Sequence, residues 1–195
     1  AYVTAANKAS RVPVLVPYAI PHRDCNGASS GGAPSYSAYK TWISRFAQGL
    51  GSKRVVVILE PDSLVQAHDC SASEVTARTA AIKSAVAVLK KYNPKAKVYL
   101  DAGHSNWRTP AATAKLLKAA GVRGSAGFFT NVSNFRTTKA EAAFGQKVRK
   151  ALGYPAYVRQ IIDVSRNGAG PLDSEWCDPA DRKIGVNPTF KSGYA

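Results

Sequence analysis

The chain has 195 residues, 45% of them hydrophobic, which is enough to bury the core of one domain. It carries 27 Lys and Arg against 12 Asp and Glu, a formal net charge of +15 at pH 7. No run of about 18 apolar residues is present, so no membrane span is expected. Residues 1–10 lack the basic and apolar blocks of a signal peptide, and we expect a mature or trimmed product.

Five apolar runs alternate with helix-like segments along the chain. The runs are continuous, as is typical of strands buried on both faces, and lie at 12–20, 54–60, 97–103, 127–132 and 157–166. Helical periodicity predicts helices at 35–51, 73–93, 109–122 and 138–153. Ser71 with Glu74, and Thr138 with Glu141, have the spacing of capping boxes. The alternation predicts a parallel α/β sheet, either doubly wound or part of a β/α barrel.

The net positive charge is compatible with two kinds of surface. A strongly basic chain can bind nucleic acid or another anionic polymer, but it can equally have a solvated basic surface. The sequence contains no basic block interleaved with aromatic residues, which would favour nucleic-acid binding.

Three cysteines are present, and a bridge between Cys25 and Cys70 would contribute about 4 kcal/mol by loop closure. Three buried free thiols are the alternative, and no Cys/His spacing indicates a metal site.

Acidic residues follow the predicted strands in a chain that has few of them. Asp24 follows the first strand, Glu60 and Asp62 end the second, Asp101 ends the third and Asp163 lies in the fifth. In a parallel sheet these ends lie on one rim, where functional sites occur. Carboxylates close together raise one another's pKa, which suits one as an acid and another as a base or stabiliser. Glycoside hydrolysis uses two carboxyls in these two roles. The alternative for the cluster is a metal ion bound by oxygen ligands, and any one of the acids alone could merely cap a helix.

Aromatic residues favour sugar binding over metal binding at this rim. Tyr18, Trp107 and Trp176 lie in or beside the same loops. Their flat rings can stack on pyranose faces, although each one alone could be a loop-packing residue. His104 is notable because it follows Asp101 by three positions.

Six stretches resemble, in order, the motifs of glycoside hydrolase family 6: VPYAIPHRDCNGASSGG, VVVILEPDSL, VYLDAGHSNW, TNVSNF, IDVSRNG and EWCDP. The resemblance runs from about Pro13 to about Ile184. Members of this family are secreted cellulases, both endoglucanases and cellobiohydrolases, that hydrolyse β-1,4-glucosidic bonds with inversion. The resemblance implies a distorted parallel β/α barrel, which agrees with the strand–helix alternation.

The resemblance also implies roles for residues at the strand ends. Asp62 would be the general acid, Asp24 would keep its pKa high and help order the water, Tyr18 would press on the distorted sugar and Ser30 would hold the attacking water. Substrate-binding positions are implied for Asp101, His104, Trp107, Asn134, Arg166 and Trp176. Cys25 and Cys70 match the first disulfide of the family, which implies an oxidising compartment and secretion.

The sequence departs from the family pattern at both ends. The family continues into a last strand and a loop of the type KxPGExDG, which carries the catalytic base, where this sequence ends at FKSGYA. The first strand and helix are also absent, and the unpaired Cys177 agrees with a missing partner. We therefore expect residues 1–195 to form one catalytic-domain fragment, an incomplete barrel without first and last strands, linker or binding module.

The expected activity is hydrolysis of internal bonds, because the stretch Glu175 to Gly185 is short and no long insertion follows Cys25. The expected partner is a cellulose or β-1,4-glucan chain, with no cofactor, metal, nucleic acid or membrane, and the protein is expected to be a monomer. Two alternatives are a non-catalytic remnant that binds cello-oligosaccharides and a basic protein that binds an anionic polymer.

Overall fold

The computed structural model describes residues 1–153, 157–173 and 175–190. In chain order these residues form α1 (Tyr2–Lys8), β1 (Val14–Leu15), α2 (Tyr36–Gly49), β2 (Val55–Leu59), α3 (Ala67–Cys70), α4 (Ala72–Tyr92), β3 (Ala96–Asp101), α5 (Pro110–Ala119), β4 (Gly127–Thr130), α6 (Thr138–Leu152) and β5 (Arg159–Ile162). Two short 3₁₀ turns lie at Arg23–Asn26 and Val122–Gly124. Residues 191–195, after which the resemblance implies a further strand, lie outside the described residues.

The five strands form one parallel sheet in the order β1-β2-β3-β4-β5. Each strand therefore pairs with its neighbour in sequence, as in a β/α barrel, whereas a doubly wound sheet reverses direction partway. Within the described residues β1 and β5 each pair with one strand only. The sheet is thus an open arc of a barrel, as expected from the resemblance.

The two faces of the sheet differ in what covers them. Helices α2, α4, α5 and α6 all pack on the face that carries Val57, Leu59, Val98, Leu100 and Phe128, and this interface is the main core. The opposite face, which would line the barrel interior, has a smaller cluster with no helical residue: Ile58, Tyr99 and Phe129 with their neighbours. Helices on one face only are the arrangement of a barrel.

The predicted helices and the three central strands are confirmed to within a few residues. The fifth strand, predicted at 157–166, covers only Arg159–Ile162, and the first strand, predicted at 12–20, covers only Val14–Leu15. Pro17 has no backbone N–H and cannot continue the ladder. The segment still lies beside β2, because Val56 N donates to Pro13 O at 2.9 Å and Glu60 N to Pro17 O at 3.0 Å. Its residues are therefore aligned with β2 as far as the rim, without forming a regular strand.

Helix α4 starts at the predicted cap, since the Ser71 hydroxyl accepts from Glu74 N at 3.1 Å. The predicted cap of α6 was wrong by one position, because Thr137 and not Thr138 is the capping residue. In both helices the hydroxyl of the capping residue accepts a backbone N–H, but the glutamate does not return a hydrogen bond to the capping residue. The Glu74 and Glu141 carboxylates bind other parts of the chain, as described below.

Within the described ranges, no helix combines the length and apolar character needed to cross a bilayer.

Candidate active site

The rim at the carboxyl ends of the strands has a strained backbone. Asp24, Glu60, Asp62, Asn131 and Ser133 have φ angles of 56°, 51°, 65°, 69° and 51°. The left-handed region is uncommon for residues other than glycine and costs about 1–3 kcal/mol per residue where it is strained. Such conformations concentrate at functional sites, and here they occur after β1, β2 and β4.

Glu60 and Asp62, which follow β2 directly, have different surroundings. The Glu60 side chain is buried, and its Oε2 accepts from Ala19 N at 2.7 Å and Ile20 N at 2.9 Å. Glu60 therefore fixes the segment after β1, whose backbone leads towards Asp24. Burial also raises the pKa of Glu60.

Asp62 is the carboxyl whose surroundings favour the protonated form. Burial raises the pKa of Asp62 to about 7, and the negative charges of Asp101 and Asp24 add to the effect. A carboxyl with this pKa keeps much of its proton at neutral pH. It can therefore donate a proton to a leaving group, which an ordinary ionised aspartate cannot do.

This raised pKa predicts that Asp62→Asn stabilises the protein at alkaline pH. With a folded-state pKa above the unfolded value, the contribution of Asp62 to stability is fully present below about pH 4 and is lost as pH rises through about 7. Asparagine does not ionise, so its advantage should grow between pH 5 and pH 8, to at most about 4 kcal/mol. Urea unfolding at both pH values measures this difference. A variant that loses stability relative to wild type as pH rises would show that Asp62 is held ionised.

Asp101 lies beneath the Asp62 loop and holds its backbone. Its Oδ2 accepts from Leu64 N and Val65 N, both at 3.1 Å, and its Oδ1 accepts from Gly103 N at 2.9 Å. Burial raises the pKa of Asp101, and these N–H groups oppose that rise. The structure thus places this carboxyl where it shapes the loop that bears the acid.

Asp24 has the opposite electrostatic character to Asp62. Its Oδ2 accepts from Ser29 N at 2.7 Å and its Oδ1 from Gln66 Nε2 at 2.6 Å. These two hydrogen bonds, the one from Ser29 first, hold the pKa of Asp24 below its usual value. An ionised Asp24 beside a protonated Asp62 gives the pair of carboxyls two different roles.

A disulfide joins the loops that carry these two residues. Cys25, next to Asp24, is bonded to Cys70 at the end of α3, eight residues after Asp62. The predicted pairing is confirmed. Cys177 is free and exposed.

Tyr18 and Arg23 stand beside the acids on the β1 side. The Arg23 guanidinium lies 4.3 Å from the centre of the Tyr18 ring and donates to Tyr18 O at 2.6 Å. Burial raises the pKa of Tyr18, and the charge of Asp62 adds to this effect, so Tyr18 and Asp62 are close. Ser30 is exposed, and its carbonyl oxygen accepts from Arg23 Nη2 at 3.3 Å.

His104 and Trp107 lie together after β3. Their rings are 5.3 Å apart, and Trp107 Nε1 donates to Asp69 Oδ2 at 3.4 Å. Burial lowers the pKa of His104 to about 4, so the ring is neutral at neutral pH. Buried Glu141 of α6 supports this loop by accepting from Ser105 N at 2.8 Å.

Asn134 and Arg166 belong to a second group after β4 and β5. Arg166 donates to Ser133 O and lies 4.5 Å from the Phe135 ring centre. Asp163 accepts from Ser133 N at 3.0 Å, and the Asn134 side chain accepts from Phe135 N at 2.8 Å. This group orders the loop after β4.

Trp176 is the predicted site residue that stands apart. Its side chain is 68% exposed beside an open depression of about 570 Å³, which is lined by Leu172, Asp173, Glu175, Trp176 and Cys177. In the part of the chain that the structure describes, no hydrogen bond, ion pair or ring contact joins Trp176 to the acids. In the same residues, no three His, Cys, Asp or Glu side chains converge to hold a metal ion.

Two residues that hold Asp24 were not predicted. Gln66 lies four residues after Asp62, one helical turn along the loop, and Ser29 lies five after Asp24. Their proximity in sequence to the two acids is the only signal that points to them.

Comparisons with known proteins agree with this geometry. The profile of the family described as "Glycosyl hydrolases family 6" matches residues 1–195. "Endoglucanase 1" of Streptomyces sp. (strain KSM-9) is 48% identical over 97% of this chain and 53% of its own length. "Endoglucanase A" of Thermobispora bispora is 44% identical over 99% of this chain and 42% of its own length. The chain thus spans about half the length of these relatives.

A solved structure extends the comparison to three dimensions. The endoglucanase Cel6 from Mycobacterium tuberculosis, in complex with methyl-cellobiosyl-4-deoxy-4-thio-β-D-cellobioside, superposes with a TM-score of 0.91 at 41% identity, covering 96% of this chain and 64% of the other. The sheet order, the strand-end carboxyls and the match along the whole sequence lead to one conclusion. The chain belongs to glycosyl hydrolase family 6.

Proposed function

We propose that the protein hydrolyses internal β-1,4-glucosidic bonds of cellulose and related glucans with inversion, and that Asp62 is the general acid. The observation that carries this proposal is the Asp62 carboxyl, which is half-buried near the charges of Asp101 and Asp24 and has its pKa raised to about 7. A glycosidic oxygen is a poor leaving group until it is protonated. Asp62 supplies that proton as the bond breaks.

The neighbouring residues have distinct roles in this step. Asp24 stays ionised, and its charge helps to keep the proton on Asp62. Tyr18, which lies close to Asp62, contacts the sugar at the cleavage point, and Ser30 helps to hold the attacking water. Inversion needs a base on the opposite face of the sugar, with about 6.5–9.5 Å between the two carboxyls to admit that water.

The substrate is bound along the rim on both sides of Asp62. Trp107 stacks on the leaving-group side, beside neutral His104, and Trp176 stacks on the other side. Asn134 and Arg166 hydrogen-bond sugar hydroxyls. The names and the bound thio-oligosaccharide of the relatives support a β-1,4-glucan substrate and cleavage of internal bonds.

The proposal includes secretion and action as a monomer on cellulose chains. A disulfide between Cys25 and Cys70 persists in an oxidising compartment and supports secretion.

The stereochemistry of the product tests the proposal. With a soluble cello-oligosaccharide, proton NMR should show the α-anomer of the new reducing end first and the β-anomer only after mutarotation. Appearance of the β-anomer first would contradict inversion. Calorimetric binding of the oligosaccharide with no release of reducing ends would contradict catalysis by this chain.

A further inference from the structure

The charges of the protein are separated between the two ends of the sheet. All 12 Asp and Glu residues fall at positions 24, 60–74, 101, 141 and 163–181. These positions lie at or after the carboxyl ends of the strands, or in the first turns of the helices that follow. Among the described residues, none at the opposite end, where the strands begin, is acidic.

Cations occupy that opposite end, and we call it the basal face. It is defined by six exposed residues at the starts of four neighbouring strands: Lys53, Arg54, Lys95, Lys97, Arg123 and Arg159. Lys91, Lys118 and Lys150, in the last turns of helices, extend it. A hydrogen bond from Asn93 Nδ2 to Lys53 O, at 2.8 Å, holds two of these strand starts together.

Helix dipoles explain only part of this arrangement. Cations in the last turn of a helix are stabilised by its carbonyl groups, which accounts for Lys91, Lys118 and Lys150. The six strand-start cations lie beyond the last turns of the helices, where this effect falls off. Within the described residues, no ion pair joins any of the six defining cations to an acid.

The defining cations also repel one another. Adjacent strands are only about 4.8 Å apart, so neighbouring strand starts bring like charges close together. Lys97 helps to lower the pKa of nearby Lys90, after the larger effect of burial. A row of unpaired like charges is unfavourable by itself, and an anionic partner would relieve it.

We propose that the basal face binds an acidic polysaccharide, a chain of sugar acids with one carboxylate on each ring. Cations at successive strand starts form a row that can follow such a chain. Three of the six defining residues are lysines and three are arginines, and both types pair with carboxylates. An acidic polysaccharide is the favoured occupant because the cleft of the same molecule is proposed to act on a polysaccharide, and duplex DNA is the competing occupant that the test below measures.

This surface is separate from the cleft and goes beyond the proposed hydrolysis. The rim with Asp62 and the basal face are at opposite ends of the strands, so one molecule can bind a neutral glucan and an acidic polysaccharide together. Attachment through the basal face would raise the local concentration of the cleft near glucan chains embedded in an acidic matrix.

Charge reversal at two matched sets of sites tests the proposal. The basal variant is K53E/R54E/K95E/K97E. The control variant is K40E/K115E/K139E/K147E, four exposed lysines on helix flanks. Each substitution changes the charge by two, so both variants fall by eight from +15 to +7. Calorimetric titration with de-esterified polygalacturonate, at low and at physiological ionic strength, measures affinity.

We expect the basal variant to bind at least about tenfold more weakly than the control variant, and wild-type binding to weaken with added salt. Equal loss in both variants would show that net charge alone attracts the polymer and would overturn the proposal. Absence of wild-type binding at low ionic strength would also overturn it. Circular dichroism and thermal unfolding confirm that each variant is folded.

Two further measurements distinguish a polysaccharide from a nucleic acid as the partner, and the basal face from the cleft as the binding site. Duplex DNA that binds as tightly as polygalacturonate, with the same loss in the basal variant, would overturn the assignment to a polysaccharide. Asp62→Asn should bind polygalacturonate as wild type does, whatever its effect on hydrolysis. A failure of the proposed hydrolysis would therefore leave this result unchanged.

Discussion

Asp62→Asn is expected to lower the rate of cleavage of an unactivated β-1,4-glucan by roughly 10²–10⁴-fold, the contribution that a general acid usually makes. Asparagine occupies nearly the same volume and tolerates the left-handed backbone at position 62, where φ is 65°. The substitution therefore removes the proton with little change of shape. Release of reducing ends from a soluble glucan, compared with wild type, measures the effect.

The leaving group distinguishes loss of the acid from general damage to the site. An activated aryl cellobioside such as the 2,4-dinitrophenyl derivative has a leaving group that needs no proton. Its cleavage should fall by less than about tenfold in the same variant, because only protonation has been removed. An equal loss on both substrates would mean that Asp62 does something other than donate a proton.

The pH dependence and a matched substitution complete this test. Because burial raises the pKa of Asp62 to about 7, wild-type activity on the unactivated glucan should decline as pH rises through that value. Asp181→Asn is the matched control, because Asp181 is exposed and also has a left-handed φ, of 58°. It should retain wild-type activity within about twofold, as expected of surface substitutions away from the site.

The helices and central strands could be predicted from sequence because their signals are local. Apolar residues at helical spacing identify α2, and the continuous run at 55–59 identifies β2. The short β1 could not be predicted in this way. Its extent depends on Pro17 and on the backbone of β2, more than 35 residues further along the chain.

The gathering of the acids was also predictable, since parallel strands place their carboxyl ends on one rim. The separation of their roles was not. Asp24 and Asp62 look alike in sequence, and their pKa values differ because Gln66 and Ser29 donate to one of them while burial acts on the other. Glu74 shows the same limit, because its spacing from Ser71 predicts a capping box. Its carboxylate instead binds two groups distant in sequence, His22 and Tyr36, and Arg78 one turn further along α4.

Arg78 of α4 is at the centre of that network and is fully buried. Its Nε donates to Glu74 Oε2 at 3.1 Å, its Nη1 to Ser63 O at 3.3 Å and its Nη2 to His22 O at 2.6 Å. Ser63 follows the acid Asp62, and His22 precedes the Asp24 loop. One guanidinium therefore holds together the two loops that carry the carboxyls.

Arg78→Met is expected to destabilise the protein by about 3–5 kcal/mol, the usual result of removing one partner of a buried ion pair. The Glu74 carboxylate would keep its contacts to His22 and Tyr36, at 2.8 and 2.9 Å, but would lose its cation, and two carbonyl oxygens would lose their donor. Arg78→Lys keeps the charge without the planar fork and should lie between wild type and Arg78→Met. Urea unfolding at pH 7 measures all three proteins.

A double-mutant cycle shows whether this loss comes from the ion pair. Arg78→Met combined with Glu74→Gln should cost less than the sum of the two single substitutions, because the second change removes the carboxylate that the first leaves unpaired. Arg45→Met on α2 replaces an exposed arginine and should change stability by less than about 0.5 kcal/mol. A free energy of unfolding for Arg78→Met within about 1 kcal/mol of wild type would mean that the guanidinium does not join the two loops. The positions of Asp24 and Asp62 would then depend on the Cys25–Cys70 disulfide and on Glu60.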